Sequence, residues 1–157
     1  MRIIKITLYL IFFTALTNCG YKVVNQSDLN NFDIIEITTT GDKRIGYKIK
    51  NKLLFNSNKD QKKALVIAIN TEKKRTIKEK NIKNEIKKYK VELNIIVKAR
   101  NITNGKTINF SKSKTGDYLV ATQYSQTLKN EKKLIITLSE NIADDILNEL
   151  INRSNDL

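Results

Sequence analysis

The chain has 157 residues and a formal net charge of +13, from 29 basic and 16 acidic side chains. It contains no histidine and one cysteine, Cys19, which excludes Ser-His-Asp and Cys-His catalytic arrangements, the usual structural zinc sites and a disulfide within the chain. The excess of positive charge favours a partner rich in negative charge, although many lysines on such a surface serve only to keep it soluble.

The first 18 residues have the layout of a secretory signal. Arg2 and Lys5 supply positive charge. The apolar run from Ile6 to Leu16 that follows is too short to span about 30 Å of hydrocarbon comfortably. We therefore expect residues 1–18 to be removed, which leaves a chain of the size of one compact domain.

Cys19 lies at the end of this run. The stretch from Leu16 to Tyr21 (LTNCGY) resembles the bacterial lipobox, in which a lipid is attached to the cysteine as a thioether, although Asn18 stands where that motif usually has a small residue. Several acyl chains, at about 0.8 kcal/mol per buried methylene, make such an anchor stable. We expect a covalent lipid on Cys19, no other cofactor, and an anchored lead over residues 19–31. The alternative is a buried core cysteine behind an ordinary signal peptide.

The first elements of the domain are a predicted strand and a predicted helix. Alternating β-branched residues favour a strand over Phe32–Thr39. From Asp42 to Phe55 the apolar residues recur every four positions, which predicts an amphipathic helix with Asp42 in its first turn. These positions are Ile45, Ile49 and Leu53.

Three further strands and a long helix follow. Ala64–Ile69 is a short apolar run that suits a buried strand, and this strand continues to Lys78. Glu79–Lys88 is predicted to be a turn or hairpin tip. Apolar and polar residues alternate over Tyr89–Arg100, which predicts a strand with one buried face. Asn104-Gly105 is a strong hairpin signal, and the return strand begins at Lys106, is interrupted near Gly116 and resumes over Tyr118–Thr122. The period of the apolar residues over Thr127–Ile151 predicts a long amphipathic helix.

The order of elements predicts an α+β fold. Residues 32–157 should form one two-layer sandwich, in which two helices pack on one face of a four-stranded mixed β-sheet. The other face of the sheet would be left to a partner or to water.

Four stretches together resemble the LPS-assembly lipoprotein family LptE. They are the Cys19-Gly20-Tyr21 opening, the strand and helix over Ile34–Leu54, the central hairpin from Tyr89 to Phe110, and the ending Ser139–Leu150. The resemblance covers nearly the whole mature chain. It implies a non-catalytic lipoprotein of the outer membrane, facing the periplasm, that plugs the lumen of an LptD-type β-barrel, helps the barrel assemble and contributes to lipopolysaccharide transport to the cell surface.

Other functions are weighed against this one. A generic lipoprotein chaperone or pilotin of another envelope complex would also be anchored and non-catalytic. A nucleic-acid partner would suit the positive charge, but export argues against it, so we expect none. An enzyme is the class that the composition favours least.

Candidate binding residues come from the basic clusters and the exposed aromatics. Lipopolysaccharide displays phosphates and acyl chains, so its binding site needs cations that can reach phosphate, with apolar surface nearby. The clusters are Lys73-Lys74-Arg75, Lys78-Lys80-Lys83, Lys87-Lys88 and Lys112-Lys114, with Lys129 near the last helix. By similarity to the family, we expect Lys83 and Lys129 to bind the ligand, followed by Lys80 and Arg75. Tyr118 and Tyr124 are expected to contact the barrel. The alternatives are solvated lysines and core-packed tyrosines.

Overall fold

The computed structural model describes residues 32–55, 64–153 and 156–157. The elements in chain order are β1 (Asp33–Gly41), α1 (Lys43–Phe55), β2 (Ala64–Lys80), β3 (Ile86–Asn101), β4 (Thr107–Leu119) and α2 (Tyr124–Asn152). The strands follow one another in the order β1-β2-β3-β4, with β1 parallel to β2 and the other pairs antiparallel. The predicted α+β sandwich of two helices on a four-stranded mixed sheet is confirmed. The predicted signal, Cys19 and the lead segment lie outside the described residues.

The connection from β1 to α1 is tight because two residues with special roles occupy it. Gly41 has a φ of 84°, a left-handed conformation that glycine adopts without steric cost. The carboxylate of Asp42 then accepts hydrogen bonds from the backbone N–H groups of Arg44 (3.0 Å) and Ile45 (3.2 Å). Asp42 therefore caps the helix from just outside it, whereas the sequence placed it in the first turn.

The core lies between the covered face of the sheet and the two helices. Strand residues of alternate parity point into it, as the period of a strand requires. Leu65, Ile67 and Ile69 of β2 pair across the sheet with Asn101, Ala99 and Val97 of β3. The helices add Ile45, Ile49 and Leu53 from α1 and Leu138, Ile142, Ala143, Ile146, Leu147 and Leu150 from α2.

The hairpin that joins β2 to β3 is longer than the sequence predicts. We expected a turn over Glu79–Lys88, but β2 continues to Lys80 and β3 begins at Ile86. The side-chain oxygen of Asn81 holds the short turn by accepting the backbone N–H groups of Lys83 (3.0 Å) and Glu85 (2.9 Å). The sequence did not predict these strand ends, because both faces of the projecting ribbon are exposed to solvent and the ribbon therefore carries no alternating apolar pattern.

The boundaries of β4 and α2 also differ from the prediction. β4 runs without interruption through Gly116 and ends at Leu119, short of the predicted Thr122. Gly116 does not break the strand because α2 crosses there: a Cβ atom on Gly116 would lie 2.6 Å from Cδ1 of Leu134. α2 begins at Tyr124, before the predicted start at Thr127.

The second face of the sheet carries no helix among the described residues. Its side chains are a mixture of short neutral ones, such as Ser111 and Ser113, and charged ones, such as Glu92 and Lys98, with the exposed Ile96 among them. Neither helix of the described part has the length and apolar character that crossing a membrane would require.

Candidate functional site

The four predicted ligand-binding residues lie toward the same end of the sheet. β2 and β3 meet at the turn that holds Lys80 and Lys83. β4 ends beside this ribbon, because Leu119 pairs with Lys88 of β3, and α2 starts a few residues later. The chain topology therefore brings Lys129, near the start of α2, to the end of the molecule that carries the tip.

Lys83 and Lys129 are the least engaged of the predicted cations. Both are exposed, and within residues 32–55, 64–153 and 156–157 neither ammonium forms an ion pair. The Nζ atom of Lys80 donates to the neutral side chain of Asn84 at 2.9 Å. Asn84 itself occupies the left-handed region, with a φ of 63°. The tip thus presents cations whose charge is not neutralised by a neighbouring carboxylate in the described structure.

The other tip lysines are paired. Lys78 forms an ion pair with Asp117, and Lys88 lies 3.0 Å from the carboxylate of Glu79. Lys87 and Asn81 donate hydrogen bonds to Glu85, and these lower the pKa of that exposed carboxyl. The charge offered to a ligand is therefore smaller than the lysine count of the ribbon suggests.

Arg75 belongs to a network that seats α2 on the sheet. Its guanidinium lies 4.8 Å from the ring centre of Tyr89, and that ring stacks on Tyr118 with a centroid distance of 5.5 Å. The hydroxyl of Tyr118 donates to Glu131 of α2 at 3.2 Å. Arg75 and Lys73 each approach the Glu131 carboxylate at 3.6 Å. This arrangement uses part of the charge of Arg75 within the fold.

The two tyrosines expected at a partner surface have different environments. Tyr118 is only 5% exposed and packs in the core, where burial raises the pKa of its hydroxyl. The expectation that it is an exposed aromatic is wrong, since the helix crossing β4 covers it. Tyr124, at the first residue of α2, is 75% exposed and is available for contact.

A groove that the sequence did not reveal runs between α1 and the first half of α2. It encloses about 1130 Å³. Its apolar lining consists of Ile45, Tyr47, Phe55, Leu128, Ile135 and Ile136, and its charged lining consists of Asp42, Lys43, Arg44, Lys48, Lys52, Lys73, Glu131, Lys132 and Glu140. The helical spacing of these residues was visible, but which helix faces would meet depends on tertiary packing.

The described residues do not form a metal site: nowhere in that part of the chain do three or more potential ligand side chains come together. The chemistry on offer is recognition by ammonium and guanidinium groups beside exposed aromatic and aliphatic surface. Such groups suit phosphates, carboxylates and apolar chains.

Comparison with known proteins identifies the fold. No protein-family model matches the chain, and no curated protein matches it. Among solved structures, rare lipoprotein B from Shewanella oneidensis superposes with a TM-score of 0.60 at 12% identity, covering 81% of this chain and 98% of that one. An uncharacterized lipoprotein B from Nitrosomonas europaea superposes with a TM-score of 0.55 at 13% identity, covering 87% and 93%. The chain therefore has the fold seen in these bacterial lipoproteins.

Proposed function

We propose that this protein is a non-catalytic envelope lipoprotein, anchored in the outer membrane through a lipid on Cys19. It would fit inside the lumen of an LptD-type β-barrel, help that barrel assemble and contribute to the transport of lipopolysaccharide. The observation that carries the proposal is the fold shared with rare lipoprotein B over 81% of this chain. The signal-like start and the resemblance to the LptE family support it from the sequence.

The proposed contact with lipopolysaccharide uses the hairpin tip. Lys80 and Lys83 project on a ribbon that extends beyond the end of β4, and Lys129 lies on the neighbouring helix. Phosphate groups of the ligand would bind these ammonium groups. Binding would break few of the interactions that the two lysines of the tip make within the protein. Lys83 is exposed, and Lys80 gives up only one hydrogen bond to an amide.

The proposed contact with the barrel uses surfaces without catalytic chemistry. Tyr124 offers an exposed aromatic ring at the start of α2. The uncovered face of the sheet offers polar side chains of both charges together with the exposed Ile96, and no helix of the described chain covers it. Aromatic residues are enriched at the cores of protein interfaces.

Binding of purified lipopolysaccharide to the full chain, in mild detergent, tests the proposed role of the tip. We expect the double variant K83A/K129A to bind about tenfold more weakly, because each charge-assisted hydrogen bond contributes about 1.5–3 kcal/mol before solvent screening reduces it. The matched control K98A/K106A also removes two charges, because Lys106 is exposed on the β3–β4 turn at the other end of the sheet and Lys98 is exposed on the uncovered sheet face. Equal losses in the two variants would show that binding follows total charge and would remove the tip from the proposal.

A further inference from the structure

Two rows of side chains border the groove between α1 and α2. On α1, Tyr47, Asn51 and Phe55 follow one another in steps of four residues, and all three line the groove. On α2, Leu128, Lys132 and Ile136 do the same. Side chains spaced four residues apart form the ridges along which one helix packs against another. The groove between these two ridges therefore has a shape into which a third helix fits.

Four large apolar side chains that line the groove are exposed to solvent. Phe55 is 87% exposed and Tyr47 is 65% exposed, and Leu128 and Ile136 are also accessible. Aromatic side chains that stand free beside a groove are typical anchors of protein interfaces. An apolar strip beside charged residues is an arrangement found at many interaction sites.

The charge of the groove is positive and largely unneutralised. Six basic and three acidic side chains line it. Two of the acids are already engaged: Asp42 caps α1 and Glu131 binds Lys73 and Arg75. The basic side chains that form no ion pair within the described ranges are Lys43, Arg44, Lys48 and Lys132. Three of them lie on α1 and one, Lys132, on α2, so both helices offer positive charge and a complementary partner carries acidic residues beside an apolar stripe.

We propose that this groove binds an acidic amphipathic helix of a partner protein. The 13 residues of α1 give the groove a length of about 20 Å, which accommodates three to four turns of a helix. A lipid tail fits the groove less well, because small-molecule sites bury about 70–90% of their ligand, whereas the aromatic rings here stand open to solvent. An amphipathic helix needs to bury only the apolar stripe on one of its faces, so an open groove is sufficient for it. This inference concerns the helical layer and does not depend on the proposed role of the hairpin tip.

A synthetic peptide binding assay on the full chain in mild detergent tests the proposal. The probe is a fluorescein-labelled peptide of about four helical turns, with leucines at i, i+3, i+4 and i+7 and glutamates on both flanks. The control peptides are a scrambled sequence of the same composition and a version with lysine in place of glutamate. Fluorescence anisotropy should show saturable binding of the acidic helix, at least about tenfold tighter than that of either control peptide.

Two groove variants and two matched controls locate the binding site. F55A and the charge reversal R44E/K48E should each weaken binding of the acidic peptide about tenfold, the second more strongly at low salt. I82A removes an exposed apolar side chain at the hairpin tip, and K98E/K106E reverses two exposed charges outside the groove. Both controls should leave affinity unchanged. Circular dichroism melts confirm that the variants remain folded.

Four outcomes would overturn the proposal. The scrambled or basic peptide could bind as tightly as the acidic helix, or the acidic helix could show no binding. The groove variants could also behave like the controls. Finally, phosphatidylglycerol vesicles could show the dependence on Phe55 and Arg44 while the peptide does not, which would assign the groove to a lipid surface.

Discussion

At the scale of residues, β4 turns two lysines toward the face that the helices cover. Lys112 and Lys114 lie opposite Ile95 and Leu93 in the register of β3 and β4. Lysines in such a position are costly unless they are paired. α2 supplies the partners, since Glu149 and Asp145 each approach a lysine Nζ atom at 2.7 Å. These two lysines of β4 therefore form ion pairs that hold α2 on the sheet.

The hydrogen bond from Lys112 is the main reason why the pKa of Glu149 is lowered. A bond from Arg153 acts in the same direction, while burial opposes both. Because the folded-state pKa lies below the ordinary value of 4.5, the ionised carboxylate stabilises the fold above that value. This contribution is lost as the pH falls through the folded-state pKa.

We expect the substitution E149Q to lower the free energy of unfolding by about 1–3 kcal/mol near neutral pH. The difference from the wild type should shrink as the pH falls through the lowered folded-state pKa of Glu149, because the wild-type carboxyl then becomes neutral as well. Urea unfolding at several pH values measures both effects. D144N is the matched control: Asp144 pairs with Lys52 on an exposed surface of the same helix, and its loss should stay below about 1 kcal/mol. A pH-independent difference for E149Q would contradict this account.

At the scale of elements, the junction between β1 and α1 is tied to the neighbouring strand. The backbone N–H of Asp42 donates to the carbonyl of Thr71 at 3.2 Å, and the hydroxyl of Thr71 lies 2.9 Å from the carbonyl of Thr40. The chain passes so close to β2 that a Cβ atom on Gly41 would lie 2.0 Å from the Thr71 carbonyl oxygen. A side chain at this position would push α1 away from the sheet.

We expect the substitution G41A to destabilise the protein by about 3 kcal/mol or more, because it combines a left-handed backbone with a backbone clash. G105A separates the two causes. Gly105 has a φ of 75°, but a Cβ atom there meets nothing within 4 Å, so its loss should be about 1–2 kcal/mol. The free energy of unfolding from urea titration gives both numbers. Equal losses would show that the contact with Thr71 is unimportant.

The elements with a strong apolar period were predicted from the sequence, because their pattern reports a buried face directly. Strand β3 and the second half of α2 are of this kind. The ends of β2 and β3 were not predicted, since a ribbon wet on both faces carries no such pattern. The burial of Tyr118 and the groove beside Phe55 were also missed, because both depend on how the helices pack on the sheet and on each other.

At the scale of the whole molecule, the described structure offers distinct surfaces for different contacts. The hairpin tip, with Lys83, projects from one end of the sheet. At the other end of the sheet, the side chain of Asn101 donates to the carbonyl of Leu157 at 2.8 Å. Between these ends, one face carries the groove and the other presents mixed polar and charged side chains of the uncovered sheet. Separate surfaces would let an anchored protein contact a barrel, a ligand and a further partner at once.

All these roles require that the chain is exported and anchored, so the covalent state of its amino terminus tests the central claim most directly. Intact-mass and peptide mass spectrometry of the protein purified from the cell envelope would measure that state. We predict a chain that begins at Cys19 and carries diacylglyceryl and acyl groups on that residue. A chain that retains Met1 and an unmodified Cys19 thiol, recovered from the cytosol, would contradict the account.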